Sequence, residues 1–201
     1  MMQHLRPAIV LVALFTLVLG IAVPLGFVGL AGAAFPGQAG GSLVQRDGKV
    51  VGSALLGQSF TTDRYFQGRP SATSAPDPAD DTKTVPAPYN AANSSGSNAG
   101  PTSQALIDRV KEAVATAGPA PVPADAVTTS ASGLDPDISP ENAARQIGRV
   151  AGARGVGADR VRELVARNTQ GRTFGLLGEP RVNVLALNLA LDAALDAPPP
   201  R

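Results

Sequence analysis

Cysteine is absent from this chain of 201 residues, and histidine occurs only once, as His4. Without a thiol the protein forms no disulfide and has no cysteine through which a lipid could be attached. Ser-His-Asp and Cys-His catalytic arrangements need an imidazole beside the nucleophile, and the common zinc sites use cysteine or histidine ligands. We therefore expect no catalytic residues of these kinds, no metal site and no cofactor of the chain's own.

Charge is scarce and balanced, with 17 basic and 16 acidic residues and a net charge of +1. All sixteen acidic residues and sixteen of the basic ones lie from Arg46 onward, so this part of the chain is formally neutral. Nucleic-acid-binding domains and polybasic membrane-surface modules depend on an excess of basic residues. The composition therefore predicts no nucleic-acid partner.

No charged side chain occurs between Pro7 and Gln45, and residues 8–34 are almost wholly apolar. A helix of this length is about 40 Å long and can cross a hydrocarbon core of about 30 Å with some tilt. The positive-inside rule places Arg6 in the cytoplasm. We predict a cytoplasmic stub at residues 1–7, a single transmembrane helix at residues 8–34, and one small extracytoplasmic α+β domain at residues 35–201, in the cell (inner) membrane.

A cleaved signal peptide is the alternative to a retained anchor. Ala31-Gly32-Ala33 is typical of a small-residue cleavage site. However, the apolar core of a signal peptide usually spans about 7–15 residues, and this stretch is much longer. The length favours a helix that stays in the lipid.

A stripe of small residues follows one face of the predicted transmembrane helix: Ala22, Gly26, Gly29 and Ala33. Small residues at this spacing let two helix backbones approach closely in lipid. The stripe predicts packing against a partner helix, and a lone anchor with a neutral outer domain is typical of a subunit.

The rest of the chain predicts short elements. Asp47-Gly48 between two apolar arms indicates a hairpin, and residues 71–88, rich in proline and aspartate, indicate an irregular segment. A helix is expected from Thr102 or Ser103 to Gly118-Pro119, and another from the Ser139-Pro140 start. The apolar residues of 181–195 fit both the alternation of a strand and the spacing of a helical face, and the length of the segment favours a helix.

The Gly/Ser-rich loop at residues 94–100 is the first candidate site; its candidate residues are Ser94, Ser95, Gly96, Ser97, Asn98 and Gly100. Backbone N–H groups of such a loop can surround a phosphate. The lysine and the preceding strand of a P-loop are missing, so a tight packed turn competes with nucleotide binding.

Asp135-Pro-Asp137 is the closest pair of acidic residues. It predicts either a turn before the Ser139 helix or the carboxylates of an anchored or secreted hydrolase. Arg69 and Arg181 each lie beside a proline, and either one could hold a carboxylate in a fixed geometry.

A family resemblance rests on a series of motifs that occur in one order along nearly the whole chain. They are Gly52-Ser-Ala-Leu-Leu-Gly-Gln-Ser-Phe60, Tyr65-Phe66, Arg69-Pro-Ser-Ala72, Tyr89-Asn90, Gly96-Ser-Asn-Ala-Gly-Pro101, Val122-Pro-Ala-Asp125, Gly133-Leu-Asp-Pro-Asp-Ile-Ser-Pro140, Leu177-Gly-Glu-Pro-Arg-Val-Asn-Val184 and Leu187-Asn-Leu-Ala-Leu-Asp192. The set resembles the C-subunit family of the bacterial Kdp potassium-transporting ATPases.

The resemblance implies a place in a four-subunit, ATP-driven pump for high-affinity potassium uptake. Its partners would be a channel-like potassium-translocating subunit, a P-type ATPase subunit and a small single-helix peptide, and the complex would handle ATP and K⁺. The family is thought to stabilise the assembly, and its serine/glycine loop, here residues 94–100, has been proposed to aid ATP binding. Ser95 and Ala99 depart from the family's usual glycine and leucine, and Asp137 stands where histidine is common.

Overall fold

The computed structural model describes residues 2–117 and 121–195, and the chain divides into two compact units, Met1–Ser53 and Ala54–Arg201. The helix end that the sequence predicts at Gly118-Pro119 lies outside the described residues. Each unit is described by itself.

A long apolar helix dominates the first unit. It consists of α1 (Met2–Leu17), a π-helical turn (Val18–Ala22) and α2 (Val23–Ala34). The continuous helical span Gln3–Ala34 has 32 residues. Its most apolar 18-residue segment has a mean hydropathy of 2.8, and no part of that segment is buried within the protein. At about 1.5 Å per residue it is long enough to cross a membrane. The single apolar amino-terminal helix of the predicted fold class is therefore confirmed, and it begins at Met2, ahead of the uncharged stretch.

The π-helical turn has a local cause in Pro24. Proline has no N–H to donate to the carbonyl four residues earlier, and its ring crowds that carbonyl. Just before it, the Val23 N–H bonds the carbonyl of Val18, five residues back, which widens the helix there. The helix therefore accommodates the proline through one wide turn without ending.

The remainder of the first unit is a short helix and a hairpin. Helix α3 (Pro36–Ala39) precedes β1 (Leu43–Arg46) and β2 (Lys49–Ser53), which pair antiparallel. Asp47 and Gly48 both have positive φ, as the tight turn between two twisted strands requires. The hairpin predicted from Asp47-Gly48 is confirmed.

The second unit is a small α+β domain, as predicted. Its elements are β3 (Ser74–Asp77), β4 (Asp80–Pro86), α4 (Gln104–Ala117), α5 (Ala124–Val127), β5 (Asp137–Ile138), α6 (Pro140–Arg154), α7 (Ala158–Arg167), β6 (Thr169–Gln170), β7 (Arg181–Asn183) and α8 (Val184–Leu195). Strands β3 and β4 form one hairpin, and a second, three-stranded antiparallel sheet has the order β5-β7-β6.

Two sequence-based expectations need correction. Residues 74–86, expected to be irregular, form the β3–β4 hairpin. Its prolines are tolerated because both strands of an isolated hairpin are edge strands. Residues 181–195 do not form one helix: Arg181–Asn183 is a strand and the helix begins at Val184. Pairing with β5 and β6 decides this, and such a long-range contact leaves no local signal.

The hydrophobic core of the second unit lies between α6, α7, α8 and the three-stranded sheet. Its fully buried members include Phe66, Val150, Val161, Val182, Leu187 and Leu191. The Ser139 hydroxyl accepts from the Asn142 N–H and caps α6, and Gly155 ends that helix at a φ of 67°. The start at Ser139-Pro140 agrees with the sequence analysis.

Candidate functional site

The small-residue stripe lies on the long helix, with Ala22 at the end of the π-helical turn and the other three residues on α2. A Cβ atom built at Gly26 or Gly29 meets no atom within 4 Å. This face offers backbone without protruding side chains, the surface that a second helix can approach closely in lipid.

The Gly/Ser loop packs against residues 130–133. Ser94 Oγ donates to the Ser132 carbonyl over 3.0 Å, and the Ser95 N–H donates to the same oxygen over 3.0 Å. Ser95 Oγ also donates to the Ala72 carbonyl, at 3.3 Å. A Cβ at Gly96 would lie 2.7 Å from the Ala131 carbonyl oxygen, so only glycine fits there. These contacts are those of a tight packed turn, which the sequence analysis gave as the alternative to a phosphate-binding loop.

The positively charged side chain of Arg109 lies beside the second half of this loop. Arg109, on α4, donates from Nη2 to Ser97 Oγ over 3.3 Å. Its Nε is buried without a hydrogen-bond partner among the described residues. Asn98, the next residue of the loop, has a φ of 49°. The arginine places a positive charge beside Ser97, whereas the first half of the loop uses its donors on backbone carbonyls.

A charged cleft of about 520 Å³ forms where β5, β7 and the segment around Arg69 meet. Arg69 Nη1 lies 2.8 Å from Asp135 Oδ2, and Arg181 Nε lies 3.2 Å from Asp137 Oδ2. Both arginines therefore hold carboxylates, the role that the sequence suggested for either one. Asp135 Oδ1 also accepts from the Asp137 N–H at 3.0 Å, which makes the predicted turn before α6.

The electrostatics of the cleft follow from burial. Desolvation raises the pKa of Asp137 above its usual value, and the nearby Asp135 charge adds to this. A hydrogen bond from Asn183 and the charge of Arg181 act in the opposite direction. Nearby, burial raises the pKa of Tyr89 to about 12, and its hydroxyl donates to the Arg69 carbonyl over 2.8 Å.

Asp125, another carboxylate of the cleft, is occupied by the start of α6. Its two oxygens accept from the Ser139 N–H, the Ser139 hydroxyl and the Asn142 amide, at 2.8, 2.9 and 3.0 Å. Negative charge near a helix amino terminus is favourable. The structure thus brings the aspartates and arginines together as ion pairs and caps, and it places the Gly/Ser loop outside this cleft.

One exposed feature was not identified from the sequence. Phe174, Leu176 and Leu177, in the loop between β6 and β7, are 94%, 75% and 60% exposed. The available signal was the apolar run Phe174-Gly-Leu-Leu177 between turn residues, which periodicity alone cannot distinguish from core.

Comparison with known proteins gives a consistent result. Residues 5–193 match the protein family described as K⁺-transporting ATPase, c chain. The chain is 66% identical over 196 residues to a Potassium-transporting ATPase KdpC subunit of Methylobacterium nodulans, covering 96% of this chain and 98% of the relative. It is 64% identical over 198 residues to the protein of that name from Bradyrhizobium diazoefficiens, with coverage of 96% and 98%. A Rhodopseudomonas palustris relative of the same name is also 64% identical over 198 residues, with coverage of 96% and 100%.

The match includes both the long apolar helix and the α+β domain, so it extends over both units. At this identity and coverage the expectation raised by the ordered motifs is confirmed. The chain belongs to the C-subunit family of the potassium-transporting ATPases.

Proposed function

We propose that this chain is a non-catalytic subunit of an ATP-driven potassium uptake pump that assembles and stabilises the complex. The observation that carries the proposal is the family match over residues 5–193, because it includes the membrane-length helix as well as the domain. The ion pairs and helix caps that occupy Asp125, Asp135 and Asp137 support a structural role for the cleft.

The proposed topology is a single retained pass through the cell membrane, with the amino terminus in the cytoplasm and the α+β domain outside. Arg6 is the only formal side-chain charge before Arg46, and positive residues favour the cytoplasmic side. Mass spectrometry of protein from native membranes tests retention. We expect an intact amino terminus; a new terminus near residue 34 would contradict the anchor.

The proposed partners are the channel-like translocating subunit, the P-type ATPase subunit and the single-helix peptide. Packing of the small-residue stripe against a partner helix would hold the chain in the complex. ATP and K⁺ would be handled by the partners.

Co-purification with a tagged partner subunit tests the assembly role. We expect the native chain to be recovered with the complex and Gly26→Leu to reduce that recovery about tenfold, a loss of about 1.4 kcal/mol. The matched control is Gly32→Leu, on the same helix but about 90° away from the stripe, where a Cβ also meets no atom within 4 Å. A native chain that extracts alone as a monomer would contradict the subunit role.

A contribution to ATP binding by residues 94–100 is a second candidate: the Arg109 charge beside Ser97 favours it, whereas the Ser94 and Ser95 donors, already used on carbonyls, count against it. Arginine is well suited to phosphate oxygens. Calorimetry with ATP on the full chain in detergent tests it. Because Ser94 and Ser95 already donate to carbonyls, we expect no specific heat; a signal that Arg109→Gln abolishes would establish the site.

A further inference from the structure

The β1–β2 hairpin follows the membrane-length helix within the first unit. Residues 35–42 connect the two elements, and hydrogen bonds hold this connection to both ends of the hairpin. The Ser42 N–H donates to the Gly37 carbonyl over 2.8 Å. The Ser53 hydroxyl, at the end of β2, donates to the Gly41 carbonyl over 2.8 Å. The hairpin is therefore fastened close to the carboxyl-terminal end of the helix.

In the proposed topology, the length of the helix brings its carboxyl-terminal end to the lipid headgroups. Residues 8–34 span about 40 Å as a helix, whereas the hydrocarbon core is about 30 Å thick and the bilayer with its headgroups about 40–45 Å. With Arg6 at the cytoplasmic headgroups, Ala34 reaches the headgroups of the opposite leaflet. The hairpin then begins at the boundary between lipid and water.

The two faces of the hairpin differ in chemistry. Leu43 and Val50 are 54% and 55% exposed. Val50 lies opposite Gln45 and side chains alternate along β1, so Leu43, Gln45 and Val50 share one face. Arg46 lies opposite Lys49, and this exposed pair occupies the other face. One face is thus uncharged and mainly apolar, and the other is basic.

This arrangement is that of a polypeptide lying in a membrane interface. Such segments turn an apolar face towards the acyl chains and carry lysine and arginine on the polar face, whose long side chains reach the headgroup phosphates. Asp47 is the only acidic residue before Asp63, so the hairpin carries an excess of positive charge. A hairpin of two strands is also only marginally stable in water, so covering its apolar face stabilises it.

We propose that the β1–β2 hairpin docks on the lipid surface of the membrane that the helix spans, on the side of the α+β domain. Leu43 and Val50 face the acyl chains, and Lys49 faces the phosphates of anionic lipids. This inference rests on the proposed function, since it requires the retained single pass. The docked hairpin acts as an interfacial anchor that sets the depth and tilt of the helix, and with them the level at which the small-residue stripe meets a partner helix.

The first test uses tryptophan fluorescence, because the native sequence has no tryptophan. The full chain with Val50→Trp is placed in nanodiscs of phosphatidylcholine and phosphatidylglycerol. We expect a blue-shifted emission that brominated acyl chains quench. Leu43→Trp, on the same face, repeats the measurement at a second position. The control is Asp81→Trp, at an exposed position of β4, whose emission should be quenched by aqueous iodide instead.

Two results of the first test would overturn the proposal. One is quenching of the Val50→Trp and Leu43→Trp emission by iodide to the same extent as in the control, because the hairpin would then lie in water. The other is protection from iodide that appears only after the partner subunits are added, because a protein surface would then cover the hairpin.

The second test measures the contribution of the Lys49 charge. In the Val50→Trp chain, Lys49→Gln should lower the docked-to-undocked ratio about fivefold in nanodiscs that contain phosphatidylglycerol, a change of about 1 kcal/mol. The matched control is Lys83→Gln, an exposed lysine of the β3–β4 hairpin, which should leave the ratio unchanged. Equal effects of the two substitutions, or no effect of Lys49→Gln, would overturn the contact with anionic lipid.

Failure of this inference differs from failure of the proposed function. If the native chain has a new amino terminus near residue 34, or does not co-purify with the pump, the anchored subunit role is wrong. If the chain is intact and co-purifies while iodide quenches Val50→Trp as in the control, the subunit role stands and only the docking of the hairpin on lipid is rejected.

Discussion

Two apolar helices of this protein meet different surroundings. No part of the most apolar segment of the span Gln3–Ala34 is buried within the protein. In contrast, α8 buries Val184, Leu185, Leu187, Asn188 and Leu191. Both are rich in leucine, valine and alanine. The difference teaches that an apolar composition favours removing a helix from water. The length of the helix and its polar contacts then decide whether it packs in lipid or in the protein interior.

Length separates the two helices first. The 32-residue span is about 48 Å long and the 12-residue α8 about 18 Å, so only the former can cross a hydrocarbon core. Polar side chains separate them next. On α8, Asn188 and Asp192 lie one turn apart and make specific tertiary contacts, with Phe66 and Arg154 respectively. Hydrogen bonds and ion pairs of this kind are typical of a folded protein interior.

The largest effect is expected from truncating the buried helix. Leu187→Ala removes a fully buried side chain and should lower the free energy of unfolding by about 2–5 kcal/mol, since a cavity remains. Leu30→Ala, at a 69% exposed position of α2, is the control and should not affect unfolding of the domain. Denaturant titration of the full chain in detergent measures both. Equal effects would show that the two helices are not in different surroundings.

A charge in the long helix tests the membrane assignment. Leu19→Arg, near the middle of the span, should cost about 3 kcal/mol on insertion. We expect a smaller fraction of the chain in carbonate-washed membranes. Ala193→Arg, on the exposed side of α8, is the matched control and should insert normally. If the two variants fractionate alike, the span does not reside in lipid.

The buried amide of α8 should matter next. Asn188 accepts from the Phe66 N–H at 2.8 Å and donates to the Phe66 carbonyl at 2.9 Å. Asn188→Leu leaves both backbone groups unpaired and should destabilise the domain by about 2 kcal/mol. Thr116→Leu, an exposed polar-to-apolar change on α4, controls for hydrophobicity. An increase in stability for Asn188→Leu would show that α8 does not need the hydrogen bonds between Asn188 and the Phe66 backbone.

The smallest effect concerns β5, which pairs with β7, the strand that precedes α8. The pKa of Asp137 is raised in the folded domain from its usual 3.8, so the folded state binds this proton more tightly and stability falls as pH rises through the folded pKa. Asp137→Asn should therefore be slightly more stable than the native chain at pH 7, with the advantage disappearing toward pH 3.8. Asp81→Asn, at an exposed position, is the control. A variant less stable at pH 7 would show that the Arg181 pair outweighs desolvation.

Local features were predictable wherever one short segment contained the whole signal. The uncharged stretch, the Asp47-Gly48 turn and the capped start of α6 at Ser139 all depend on near neighbours. The β3–β4 hairpin was missed because proline and aspartate usually disfavour strands. The candidate residues of the Gly/Ser loop were nameable, yet their acceptors on Ala72 and Ser132 belong to other parts of the chain.

The amino-acid sequence alone determined one membrane-length helix, a neutral α+β domain and membership of a pump-subunit family, because hydropathy, length and ordered motifs are read along the chain. Only the tertiary structure decided that Arg69 pairs with Asp135, 66 residues away, and that Asn188 holds Phe66. It also decided that Phe174 faces solvent while Leu187 is buried. These outcomes depend on which distant surfaces pack together, and the free energy of that packing is a property of the whole fold.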